Sequence, residues 1–200
     1  LLDYGEQEPV RLRVELIGRT LNVAEAAGKP CPRYIFANDQ DFAYGRFLLD
    51  ERSRQEVMER LGTTRDVFRR ALLWGSLWES VRELQLDPRQ YIELAVKSLP
   101  AETDESLASG ILAHVTTALH RYVSDETRLQ IAPDIERLAA EQMTESADLN
   151  LRIVWFRALQ GVAETPLGLG QLKHLLDERM WVPGVALRPL DRWNMIATLI

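Results

Sequence analysis

Thr63-Thr-Arg-Asp-Val-Phe-Arg-Arg-Ala-Leu-Leu-Trp-Gly-Ser-Leu-Trp-Glu-Ser-Val-Arg82 places its apolar residues at helical spacing. Val67, Leu72 or Leu73, Trp74, Leu77, Trp78 and Val81 fall on one broad apolar face, the pattern of a helix packed against a core. Thr63-Thr-Arg-Asp66 has the form of a capping box, with Asp in the position usually held by Glu. The stretch therefore predicts a helix that opens near Thr63 and runs to about Gln85. Inside it, Arg70-Ala-Leu-Leu-Trp74-Gly-Ser-Leu77 fits the pattern Arg-x-x-x-apolar-x-x-Leu. Arg152-Ile-Val-Trp-Phe156-Arg-Ala-Leu159 and Arg192-Trp-Asn-Met-Ile196-Ala-Thr-Leu199 fit it again, and Leu112 to Leu119 fills the remaining slot with Leu112 in place of the Arg. The four starts lie 42, 40 and 40 residues apart, with two helices in each interval. A period near 40 with one helix pair per unit is that of HEAT and armadillo repeats. The expected fold class is mainly α: a HEAT/armadillo-like α-solenoid of helix pairs.

Outward from this stretch the helical pattern continues in both directions. Asp50 or Ser53 can open a helix that Gly62 closes. Asp87-Pro88 is a cap followed by proline at the first helical position, and that helix is expected to reach about Leu99. Pro100 stops it and Thr103 can cap the next, on which Leu107, Ile111, Val115, Ala118, Leu119 and Tyr122 step at helical spacing. Ser124 caps another, which Pro133 is expected to kink or divide. Asp148 precedes a helix through Ala163. Thr165-Pro166 repeats the cap-plus-proline pattern for a helix ending near Arg179. Val182-Pro-Gly184 reads as a turn, and Asp191 opens the last segment.

The first fifty residues read differently. Arg11 to Ile17 alternates polar and apolar, placing Leu12, Val14 and Leu16 on one face of a strand. Thr20–Ala24, Arg33–Ala37 and Phe42–Leu49 are further short strand candidates, separated by turn chemistry at Gly28-Lys-Pro-Cys-Pro32 and Asn38-Asp-Gln-Asp41. A few short strands alone are marginal, so residues 1–49 are expected to be the remnant of a β-sandwich and residues 50–200 the solenoid. Leu1 is not Met, and Asp191 to Ile200 reads as an apolar helix without a stop signal. The chain is therefore expected to be cut from a longer protein, within the sandwich at one end and the solenoid at the other.

Composition narrows the function. Twenty-four Lys+Arg against thirty Asp+Glu give a formal charge of −6, without the basic excess of a nucleic-acid-binding surface. No apolar stretch approaches the ~18 residues of a membrane span. One cysteine, Cys31, leaves no intrachain disulfide framework and no multi-cysteine metal site.

Searching for chemistry returns little. His114, His120 and His174 lack the His-Glu-x-x-His pattern of a zinc site, and His114 and His120 are six apart, on different sides of a helix. His120 reads as a surface residue of its helix. Cys31 between Pro30 and Pro32 has no identifiable His base, so a hydrolase built on it is the least favoured reading. The acidic run Glu102-Thr-Asp-Glu105 is explained by its place at a helix start, where the dipole favours anions. Trp74 and Trp78, an i, i+4 pair, are read as core. Arg70, Arg152 and Arg192 recur at the repeat positions. They either line a concave face that receives carboxylates of a peptide, or form salt bridges between repeats.

Tyr34-Ile-Phe-Ala-Asn38-Asp-Gln-Asp-Phe-Ala-Tyr44-Gly-Arg-Phe-Leu-Leu-Asp50-Glu-Arg-Ser53 resembles the junction between a small β-sandwich and a helical C-terminal domain in aminopeptidase N-type zinc metallopeptidases. Arg70-Ala-Leu-Leu-Trp74-Gly-Ser-Leu-Trp78-Glu-Ser-Val-Arg82 is similar to the next landmark of that family. Leu190-Asp-Arg-Trp193 after Val182-Pro-Gly-Val185 is similar to a later one. The resemblance covers most of residues 10–200. It implies an armadillo- or HEAT-like bowl that caps a thermolysin-like catalytic domain, encloses the active-site chamber and contacts the distal part of a peptide. The family's His-Glu-x-x-His and Gly-x-Met-Glu-Asn signatures have no match in this sequence, so no catalytic or metal residue carries over. Zinc is implied for the parent enzyme and no cofactor for this chain. The implied partners are the catalytic domain of the same protein and peptide substrates, with no nucleic acid and no membrane span. A cytoplasmic location follows from the resemblance alone. The alternative is a stand-alone α-solenoid that binds protein or peptide without catalysis.

Overall fold

Most helices of this chain begin behind an Asp, Ser or Thr, because a short side-chain oxygen satisfies the first free backbone N–H groups. The computed structural model describes residues 1–5 and 8–200; Glu6 and Gln7 of the N-terminal segment lie outside the described residues. Eight α-helices and one two-stranded sheet are found among the described residues. The chain is mainly helical, as the sequence predicts, and it divides into two compact units, Leu1–Gln85 and Leu86–Ile200. No helix among the described residues is long and apolar enough to cross a membrane.

In the first unit, β1 (Leu2–Asp3) pairs antiparallel with β2 (Tyr34–Ile35), Leu2 opposite Ile35. α1 (Glu51–Arg60) packs on β2. Its cap, Asp50, accepts from the Ser53 backbone N–H and from the Ser53 hydroxyl, and the same hydroxyl oxygen accepts from Ile35 N at 2.9 Å. One serine therefore ties strand to helix. α2 (Val67–Arg82) buries Leu73, Trp74, Leu77, Trp78 and Val81, while Val67 stays 40% exposed.

The strand expectations need correction. Among the described residues, no strand forms at 11–17, 20–24 or 42–49, and residues 24–26 make a short 3-10 turn. Leu16 and Ile17 are 67% and 79% exposed. Alternation specifies a strand only where a neighbouring strand takes up its backbone groups and a second layer covers its apolar face. β2 with two residues of β1 supplies neither for residues 11–17.

The second unit holds α3 (Pro88–Ser98), α4 (Glu105–Arg121), α5 (Asp125–Glu145), α6 (Leu149–Val162), α7 (Pro166–Leu176) and α8 (Pro189–Leu199). Asp87, Asp104, Ser124, Asp148 and Thr165 cap the first five of these with side-chain oxygens. Each helix from α3 to α6 packs on its next and next-but-one neighbour, and α7 packs on α8. Tyr91, Val115, Leu119, Ile135, Leu159, Leu172 and Met195 are fully buried between them. Side chains of this size contribute about 1.5–3 kcal/mol each on burial. α4 and α6 approach closely at Gly161, where a Cβ would lie 3.2 Å from the Thr116 methyl carbon.

Several boundaries differ from expectation. α2 is capped by Asp66, not Thr63; α4 by Asp104, not Thr103; and α8 opens at Arg188-Pro189, with Asp191 three residues inside. Pro133 sits within α5 without dividing it. Ile131 and Ala132 before the proline and Ile135, Ala139 and Met143 after it are all buried, and their packing outweighs the ~3 kcal/mol a mid-helix proline costs. α2 and α7 stop about one turn early, at Arg82 and Leu176. Both close through a left-handed residue that is not glycine, Leu84 at φ +59° and Glu178 at φ +59°. A backbone N–H just beyond each reaches back five residues, Gln85 to Ser80 and Arg179 to His174. This is Schellman geometry, which usually announces itself by a glycine.

Candidate functional site

The three repeat-position arginines occupy equivalent places. Arg70, Arg152 and Arg192 are each the fourth residue of their helices α2, α6 and α8. Arg70 donates from Nη1 to the carbonyls of Thr64 (2.8 Å) and Arg65 (3.0 Å). Arg152 donates from Nε to Ser146 O (2.6 Å) and from Nη1 to Pro183 O (2.9 Å). Each thus reaches back six residues and fastens the loop that leads into its own helix. Charge-assisted bonds of this kind are worth about 1.5–3 kcal/mol. Arg192 does something else: its Nη2 pairs with Glu178 Oε1 at 2.9 Å, bridging the end of α7 to α8. In the fourth slot, Leu112 is the eighth residue of α4 and is buried.

The histidines are held apart. His114 Nδ1 lies 3.4 Å from the hydroxyl of buried Tyr91, ring edge toward ring face. Burial raises the Tyr91 phenol above its ordinary value, keeping it neutral. His120 lies at the surface end of α4, yet it crosses to the next helix pair. Its Nε2 donates to Gly161 O at 2.8 Å, and Nδ1 stands 3.6 Å from Glu164 Oε1, which also pairs with Arg128 at 2.9 Å. Among the described residues, no group of three or more His, Cys, Asp or Glu is placed to hold a metal ion. Cys31 is exposed and meets the Arg52 guanidinium, which carries no acceptor and cannot serve as a base. Glu102 accepts from the backbone N–H groups of Thr103 and Asp104, so the acidic run works at a helix start. Trp74, Trp78 and Trp155 are core, whereas Trp181 and Trp193 are 72% and 67% exposed.

Three buried carboxylates among the described residues, Asp39, Glu136 and Asp191, escaped the sequence reading of function. Glu136 on α5 is fully buried. It accepts from the N–H groups of Glu164 (2.6 Å) and Thr165 (2.8 Å) and from the Thr165 hydroxyl. It thereby caps α7 from a neighbouring helix, where the dipole favours an anion. Gly168 makes room: a Cβ there would stand 2.6 Å from the carboxyl carbon of Glu136. Its position could have been read, since Ala132, Ile135, Ala139 and Met143 mark the apolar face on which it lies.

Asp191 is 4% exposed and accepts from the Arg188 backbone N–H and guanidinium. The Arg188 hydrogen bond, against the opposing effect of burial, holds its carboxyl below the usual range. Beside it, Gln160 of α6 donates to Asp191 O at 3.0 Å, and Thr198 donates to Gln160 O at 2.9 Å. These polar groups fix helix ends and helix pairs to one another.

A family model described as "ERAP1-like C-terminal domain" matches residues 34–200. A protein named Aminopeptidase N from Streptomyces lividans is 28% identical over 190 residues, which is 94% of this chain and 22% of that protein. The chain thus spans less than a quarter of the length of this curated relative.

Proposed function

The chain belongs to the ERAP1-like C-terminal domain family, and from that premise we propose that it is the non-catalytic helical domain of a zinc aminopeptidase. One observation carries the reading: similarity to an aminopeptidase runs along 94% of the chain. The alternative of a stand-alone peptide-binding scaffold explains the helices but not that match.

In this proposal the helix pairs form a HEAT/armadillo-like solenoid. Packing of each helix from α3 to α6 on its next and next-but-one neighbour supports it, because that is how stacked pairs bury both of their layers. The solenoid encloses the active-site chamber of the parent enzyme and contacts the distal end of peptide substrates. Residues 1–49 belong to an adjoining sandwich, and the partner is the catalytic domain of the same protein, in the cytoplasm. The proposed parent would hold zinc outside these residues, where the metal would polarise the scissile carbonyl and activate water.

Among the arginines proposed to meet peptide, Arg192 is the best placed, since its partner Glu178 is a surface carboxylate 75% exposed. Arg70 and Arg152 would have to leave backbone carbonyls. In the intact enzyme, Arg192→Ala is expected to raise KM for long peptides and leave KM for single-residue amides unchanged.

The open reading frame that carries this chain tests the whole proposal. It is expected to contain His-Glu-x-x-His with a downstream Glu, and its product to release N-terminal residues until the metal is chelated. A frame without that motif overturns the assignment.

A further inference from the structure

No further inference is drawn: the strongest candidate, the outward apolar face of α8 that leaves Leu190, Trp193 and Ile196 open to solvent, carries nothing because nothing in the structure shows what covers it.

Discussion

Ile17 and Ile135 are the same side chain in two regions that treat it oppositely. Ile17 follows an alternating run in the N-terminal segment and is 79% exposed; Ile135 lies on α5 and is fully buried. Both regions are rich in apolar residues, so composition does not separate them. The difference is where the backbone finds its hydrogen bonds. A helix satisfies its own N–H and C=O groups and then needs only a neighbour for one face. A strand needs a partner before its apolar face can mean anything. The N-terminal segment buries only a few apolar side chains, Leu2, Tyr34, Phe36 and Leu49, and adds polar fastenings, with Asp39 accepting from Arg11 (2.7 Å) and Arg69 (3.1 Å) and Ser53 accepting from Ile35 N. The helices of the second unit are held by continuous buried surface.

The matched isoleucines give the largest test. Ile135→Ala is expected to cost about 3 kcal/mol, as for buried large-to-small changes generally, and Ile17→Ala less than about 0.5 kcal/mol. Urea midpoints at constant slope would measure both. Equal losses would break the contrast. Next comes Gly168→Ala, expected to cost about 1–3 kcal/mol by overpacking. The new methyl group must displace the Glu136 carboxylate from the N–H groups of Glu164 and Thr165, so slower exchange at those amides than in the parent would contradict the account.

Asp39→Asn addresses the other side of the comparison, at about 1 kcal/mol, since the exposure of Arg11 limits one of its two ion pairs and the Asn amide oxygen can still accept from Arg69. Burial pushes the Asp39 carboxyl up, but the Arg11 hydrogen bond and the Arg69 charge together draw it below its ordinary 3.8. A carboxylate depressed on folding stabilises the fold above that ordinary value and loses the contribution as pH falls through the lower, folded-state one. The gap between parent and Asp39→Asn should therefore close on acidification below about pH 4. A gap that widens there would mean the ion pairs are not the cause. The smallest effect is a gain: Leu84→Gly relieves a left-handed residue that is 89% exposed and is expected to add about 0.5–1 kcal/mol. A lower thermal midpoint would show that Leu84 contributes something beyond its backbone.

What could be read in the sequence divides along the same line. Asp87-Pro88, Ser124, Asp148 and Thr165-Pro166 mark helix starts correctly because capping is settled within four residues of chain. Thr103 and Asp104 stand side by side and both can cap, but Asp is the stronger N-cap residue, and it is Asp104 that takes the position. Leu84 and Glu178 end helices without any residue that advertises the turn. Pro133 misleads because its penalty is local while the packing that overrides it comes from other helices. The arginines at 70, 152 and 192 were legible as a series, and all three fall at one helical position. Their partners were not legible, because a carbonyl six residues upstream and a carboxylate on another element look identical to a pattern of spacings. Glu136 is the instructive omission: a lone acid at core spacing asks which helix end it serves.

That acid also imposes a joint rule on two distant positions. A carboxylate at 136 and a side chain at 168 compete for one volume, so a change at one site alters what a change at the other costs. A lineage that acquires a side chain at 168 loses stability unless the residue at 136 shortens and the start of α7 finds another acceptor. In an alignment this would register as a linked pair, Glu with Gly or neither, between residues 32 apart in sequence that no helical or strand periodicity connects.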